Sequence, residues 1–135
     1  MRNSNIVDLR KLNKSYDEGT KKRHVLRDLE LEVAQGQMLV LLGRSGSGKS
    51  TLLNLLSGID RPDSGQVMID GTDISLLSEK ERTLCRRTHI GFVFQAFNLI
   101  STLTAYENIV LPLRLQGKKD VSTEQLALHF LEEVG

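Results

Sequence analysis

Leu29, Leu31 and Val33 alternate with Asp28, Glu30 and Glu32, the period of two that marks a strand with one buried face. This predicts a strand over Val25–Val33. A similar mixture predicts an earlier one over Ile6–Tyr16, with the polar stretch Asp17–Arg23 as an exposed hairpin loop. The pattern changes after a turn at Gly36. Met38-Leu39-Val40-Leu41-Leu42 is apolar without alternation, which suits a strand covered on both faces in a parallel sheet. Leu52, Leu53, Leu55 and Leu56 then give Thr51–Ser57 a helical face that stops at Gly58. Arg61-Pro62-Asp63-Ser64-Gly65 predicts a turn cluster, Gln66–Asp70 a short strand and Gly71 another turn. Capping boxes follow at Ser78 with Glu81, Thr104 with Glu107 and Ser122 with Gln125. They open a charged helix to about Arg87, a segment to about Gly117 and a last helix. Ile90–Phe94 reads as a buried strand, and Pro112 is expected to kink or shorten the middle helix.

Strand–loop–helix units of this kind argue for α/β architecture. Composition leaves that picture intact: 135 residues, 39% apolar and 26% charged, read as one ordinary globular domain. With 18 basic and 17 acidic residues the net charge is +1, so nothing points to nucleic acid as a partner. Met1–Lys11 has no apolar core of signal-peptide length, and the run Met38–Leu42 is far short of the ~20 residues that cross a bilayer. A membrane role would therefore go through a partner. The single cysteine, Cys85, excludes an internal disulfide, suits a reducing cytoplasm and is expected as a small helix filler. His24, His89 and His129 lack metal-ligand spacing, Asp70 and Asp73 fit turns, and Met38 and Met68 fit core positions.

The chemistry is concentrated in Gly43-Arg44-Ser45-Gly46-Ser47-Gly48-Lys49-Ser50, which matches the phosphate-loop pattern G-x-x-x-x-G-K-[ST]. A chain that curls around a phosphate must turn successive N–H groups inward, and Gly43, Gly46 and Gly48 supply the freedom and clearance. The helix starting near Lys49 presents its positive end to the same anion. Lys49 can reach β- and γ-phosphates as a mobile charge, and the Ser50 hydroxyl is a ligand for a bridging Mg²⁺. A chance match in a chain of this length is about one in two hundred, and this one follows an apolar run and opens a helix, as the mechanism requires.

The loop alone does not choose among P-loop proteins. From Ile6 to Gly135, however, the chain resembles the nucleotide-binding domain of ABC transporters. Lys14-Ser15-Tyr16 precedes Val25-Leu26-Arg27-Asp28-Leu29, and the loop continues into Thr51-Leu52-Leu53-Asn54-Leu55-Leu56-Ser57-Gly58. Pro62-Asp63-Ser64-Gly65 precedes Ile69-Asp70-Gly71, and Gly91-Phe92-Val93-Phe94-Gln95 leads into Phe97-Asn98-Leu99 and Thr104–Pro112. The last block is most similar to the subgroup serving lipoprotein release and macrolide export, which includes division-type regulators.

The resemblance implies a P-loop NTPase core of the ABC type with an N-terminal antiparallel β-subdomain, in α/β architecture. It implies β-subdomain elements at about 1–36 and 66–75, the P-loop strand and helix at 37–65, the Q-loop strand and the start of a helical subdomain at 89–117, and more of that subdomain at 118–135. It also implies ATP and Mg²⁺ as ligands. Gly43, Arg44, Ser45, Gly46, Ser47, Gly48, Lys49, Ser50 and Thr51 would hold the phosphates, and Tyr16 would stack on the adenine. Lys49 and Gln95 would serve the reaction, with Ser50 and Gln95 on the metal. Ala96–Glu107 would lead to a membrane subunit, leaving Phe97, Leu99, Ile100 and Leu103 as docking patch or local core. The implied partners are a transmembrane permease subunit and a second nucleotide-binding domain, with a homodimer expected. The implied location is cytoplasmic, on the inner face of the membrane. The L-S-G-G-Q signature, the Walker B strand with its carboxylates and the switch His have no counterpart in residues 1–135. Because the last helix ends at Gly135 with no closing strand, the domain is expected to be truncated before these elements. On that expectation the chain alone would bind ATP weakly and would not hydrolyse it. A cell-division-type ATPase and a non-catalytic ATP-binding fragment are the alternatives.

Overall fold

The alternating segments close into one long hairpin. In the computed structural model β1 (Asn5–Glu18) pairs antiparallel with β2 (Lys21–Ala34), joined only by Gly19-Thr20. The structure describes residues 5–117 and 121–134. The chain divides into two units, Met1–Arg86 and Arg87–Gly135.

In the first unit, Asp17–Arg23 is not a loop: Tyr16 faces Arg23, Asp17 faces Lys22 and Glu18 faces Lys21 across the hairpin. Gly19 at φ 64 accepts the left-handed turn, and opposite charges lie across the strands where like charges would repel. β3 (Ser64–Ile69) adds to the other edge of β1, and β4 (Thr72–Asp73) to β3, giving the antiparallel order β2-β1-β3-β4. Leu9 and Leu12 are both buried although three residues apart, because Lys11 bulges out at φ 46 and resets the phase. A second bulge at Asp28, φ 42, lies on β2. The Asn13 amide ties the two together, donating to the Lys11 carbonyl at 2.9 Å and accepting from the Asp28 N–H at 2.9 Å. Opposite the first bulge Gly65 is obligatory: a Cβ there would stand 2.3 Å from the Lys11 carbonyl oxygen.

α1 (Lys49–Leu56) lays Leu52 and Leu55 on this sheet, against Leu9, Leu12, Leu26, Val67, Ile69 and Ile74. Each such side chain contributes about 1.5–3 kcal/mol. α2 (Glu79–His89) opens on a reciprocal Ser78–Glu81 box. Its buried Arg82 pairs with Glu79, and Arg86 donates to the Gly58 carbonyl at 2.5 Å. Cys85 packs against the core as the filler expected of it.

Met38–Leu42 departs from expectation. No strand forms there among the described residues, and Met38 is 88% exposed, so it is not a core filler. Only Leu41 packs on the core. A strand exists only through a neighbour about 4.8 Å away, and no described residue supplies one.

In the second unit Ile90–Phe94 likewise forms no strand among the described residues and is exposed beyond Ile90, with Val93 wholly in solvent. The Phe92 and Phe94 rings stack on each other at 5.2 Å. α3 (Ala105–Leu115) carries the complete Thr104–Glu107 box, and Asn108 clips the preceding loop by donating to the carbonyls of Ile100, Leu103 and Thr104. Pro112 lies inside α3 without ending it, since the helix continues through Leu115. α4 (Val121–Val134) starts one residue ahead of Ser122, which therefore sits in the first turn and not at the cap. Val110 of α3 and Ala127 of α4 are buried. Among the described residues no helix is long and apolar enough to cross a membrane.

Candidate functional site

The glycine-rich loop and the hairpin face each other within the first unit. Gly48 makes the close approach possible. It caps α1 in the left-handed conformation at φ 91, and a Cβ would meet Val25 Cγ1 at 3.0 Å and Leu26 Cδ2 at 3.3 Å. No side chain caps this helix end, so the amides of its first turn face the hollow without a side-chain acceptor. The result is an open cavity of about 560 Å³. Ser45, Gly46, Gly48, Lys49, Ser50 and Thr51 form one wall, and Tyr16, Glu18, Arg23 and Val25 form the other.

Lys49 closes the loop on itself. Its Nζ donates to the carbonyls of Gly43 and Arg44, at 2.8 Å each, and lies 3.3 Å from Ser47 Oγ. In this way Gly43, Arg44 and Ser47 take part through the lysine, and the Ser47 N–H turns back to the Arg44 carbonyl. An ammonium lent to two carbonyls is easily drawn to a competing anion, because those acceptors carry only partial charge.

Tyr16 is held from behind. Its hydroxyl donates to Asp60 Oδ2 at 2.8 Å, and the buried Lys14 donates to Asp60 Oδ1 at 2.8 Å and to the Arg61 carbonyl at 2.7 Å. The Lys14 ammonium also stands 5.0 Å from the Tyr16 ring centroid. Burial pulls the Asp60 carboxyl upward, but the hydrogen bonds from Lys14, Tyr16 and the Arg61 amide, with the Lys14 charge, outweigh it and hold the group below 3.8. Asp60 is thus an anion that fixes the aromatic ring.

Of the residues singled out from sequence, Tyr16, Ser45, Gly46 and Gly48–Thr51 line one cavity, and Gly43, Arg44 and Ser47 complete its loop. Gln95 belongs to the second unit, in an exposed bend after Phe94. Phe97 (94% exposed), Leu99 and Ile100 face solvent there, while Leu103 is half-buried. Asp73 closes β4, its carboxylate accepting from the Ser75 N–H of the turn that follows at 3.0 Å, while Asp70 stands in the turn between β3 and β4 at φ 46. Sequence reasoning missed Glu18, Arg23 and the Lys14–Asp60 brace. The first two carried a signal, since a turn at Gly19-Thr20 puts Tyr16 opposite Arg23.

The family model described as ABC transporter matches residues 26–135. An ABC transporter ATP-binding protein of Mycobacterium tuberculosis is 48% identical over 130 residues, 96% of this chain and 52% of that protein. The lipoprotein-releasing system ATP-binding protein LolD of Coxiella burnetii is 41% identical over 136 residues, covering 100% of this chain and 58% of its own length. Among solved structures, the dimeric post-hydrolysis state of the ATP-binding cassette MJ0796 bound to ADP and Pi superposes with a TM-score of 0.86 at 39% identity. That match covers 93% of this chain and 56% of the cassette. The chain spans about half the length of the curated relatives it matches. The family model matched over residues 26–135 and the superposition on a solved ATP-binding cassette show that the chain belongs to the ABC transporter family, with the α/β, P-loop fold of that cassette.

Proposed function

We propose that this chain is the nucleotide-holding portion of an ABC transporter ATP-binding subunit, and that the cavity between hairpin and phosphate loop takes ATP. The observation that carries the reading is the uncapped start of α1, with Lys49 and Ser50 at its first turn and an aromatic ring across the hollow. Amides, one ammonium and one hydroxyl form a donor set suited to a polyphosphate. Lys14 stands over one face of Tyr16, which leaves the other face to a purine; such stacking is worth about 1–3 kcal/mol. Gly43–Gly48 and Thr51 wrap the phosphates, and Lys49 leaves its carbonyl partners for the β- and γ-phosphates.

Mg²⁺ fits the same set. The hard hydroxyl oxygen of Ser50 lies at the loop's exit, and among the described residues no three His, Cys, Asp or Glu side chains gather to hold a metal elsewhere. Ser50 would hold the ion, which would neutralise charge on the transferred phosphoryl group. Lys49 would stabilise the developing negative charge.

In the whole protein we infer ATP hydrolysis coupled to a transmembrane permease, for export or lipoprotein release, with a second nucleotide-binding domain as dimer partner. The relative that releases lipoproteins and the dimeric cassette with ADP and Pi support this reading. It places the protein in the cytoplasm, peripheral on the membrane through that permease. Taken alone, residues 1–135 are better described as a binding element, since the apolar segments 38–42 and 91–94 remain unpaired. The test is an equilibrium titration with a fluorescent ATP analogue. Lys49→Ala is expected to weaken binding at least a hundredfold with unchanged circular dichroism, and equal affinity in the two proteins would refute the site.

A further inference from the structure

We propose that Arg23 is a nucleotide-contacting residue, supplied by the hairpin, that takes the sugar-proximal phosphate. The inference rests on the ATP reading of the cavity and adds a residue that the phosphate-loop pattern does not contain.

Three observations carry it. Arg23 is the direct cross-strand partner of Tyr16, so the two side chains leave the same face of the hairpin, into the same cavity. Its guanidinium bridges the two walls: Nη1 donates to Glu18 Oε1 at 3.0 Å, and Nη2 reaches the Gly46 carbonyl at 3.4 Å. Finally, the charge is poised without being consumed. Glu18 and Gly46 engage one contact of each terminal nitrogen among the described residues, the second of them long, while a guanidinium carries five N–H donors. Half of the Arg23 side chain remains in solvent.

A nucleotide with its base on Tyr16 and its terminal phosphates in the loop must pass Arg23 between these two ends. The group that passes there and needs a cation is the phosphate attached to the ribose. Glu18 holds the fork on the hairpin side, so the arginine is pre-oriented and loses little freedom on binding. A lysine would keep the charge but not the fork.

Four probes separate this role from a mechanical brace on the loop: adenosine, AMP, ATP and inorganic tripolyphosphate, each titrated by calorimetry or competition. Arg23→Ala is expected to weaken AMP and ATP by about tenfold, the lower range for a charge-assisted hydrogen bond. It should leave adenosine and tripolyphosphate unchanged, and Arg23→Lys should recover part of the loss. Thermal melting of both variants confirms that the exposed substitution leaves the fold intact. An unchanged AMP affinity in Arg23→Ala overturns the proposal. So does an equal loss for tripolyphosphate and ATP, which would make Arg23 a support for Gly46. Lys49→Ala run in parallel keeps the two readings apart. If it weakens ATP and tripolyphosphate while Arg23→Ala does nothing, only the Arg23 role fails; if Lys49→Ala has no effect, the cavity itself is wrongly read and both fall.

Discussion

Two kinds of strand-forming sequence meet opposite fates in this chain. The two strands of the hairpin Asn5–Ala34 satisfy each other across a two-residue turn, and β3 and β4, from farther along the chain, complete the same antiparallel sheet. Met38–Leu42, richer in apolar residues than either strand of the hairpin, stays unpaired and largely exposed. An antiparallel partner can be reached by a two-residue turn, whereas a parallel one needs a crossover from elsewhere in the fold. Apolar content therefore states what a segment can become, and the availability of a neighbour decides what it is.

The comparison can be broken most forcefully on its ordered side. Gly65→Ala forces a Cβ to within 2.3 Å of the Lys11 carbonyl oxygen and 2.6 Å of that of Arg10, at φ 92. Neither contact is with a flexible side-chain end, so the β1–β3 bulge must open. A loss of about 3 kcal/mol or more in urea unfolding is expected, and a loss below about 1 kcal/mol would show that the bulge is not held as described. Leu55→Ala comes next, at about 2–5 kcal/mol for a core leucine that is 1% exposed. Its counterpart on the unpaired side sharpens the contrast. Met38→Ser removes an apolar side chain of similar size yet should change stability by less than about 0.5 kcal/mol, because Met38 is exposed. A cost approaching that of Leu55→Ala would mean that Met38 is buried in solution.

The smallest effect concerns the brace behind Tyr16. The folded Asp60 carboxyl is held below its ordinary 3.8. Its contribution is therefore fully present above that value and is lost as pH falls through the lower, folded one. Asp60→Asn should flatten this part of the stability-against-pH curve below pH 3.8 while leaving the slope near neutrality unchanged. An identical acid limb in the two proteins would show that the carboxylate does not support the fold.

How much of this could be read beforehand differs from residue to residue. The alternation at Leu29, Leu31 and Val33 gave β2, and Thr104 with Glu107 located the start of α3, because both are local signals with local consequences. The loop Gly43–Ser50 was legible for the same reason: its glycine spacing is dictated by the path of the backbone. The bulges at Lys11 and Asp28 were not, since neither is a glycine and each exists only to keep the leucines of paired strands in phase. Glu18 and Arg23 were hidden by a single error. Taking Asp17–Arg23 as a loop removed the register that sets Arg23 beside Tyr16. The Lys14–Asp60 contact joins residues 46 positions apart, and nothing in either neighbourhood announces it. Ile90–Phe94 and Met38–Leu42 failed for the non-local reason already given.

The central claim is that loop amides and hairpin aromatic close on one nucleotide. Backbone amide NMR during a titration with Mg-ATP addresses it most directly. The account predicts saturating shifts concentrated at Gly46, at Gly48–Thr51 and at Tyr16 and Arg23, which line a common cavity. Saturation with the loop amides unmoved, or shifts confined to residues outside that cavity, would contradict it.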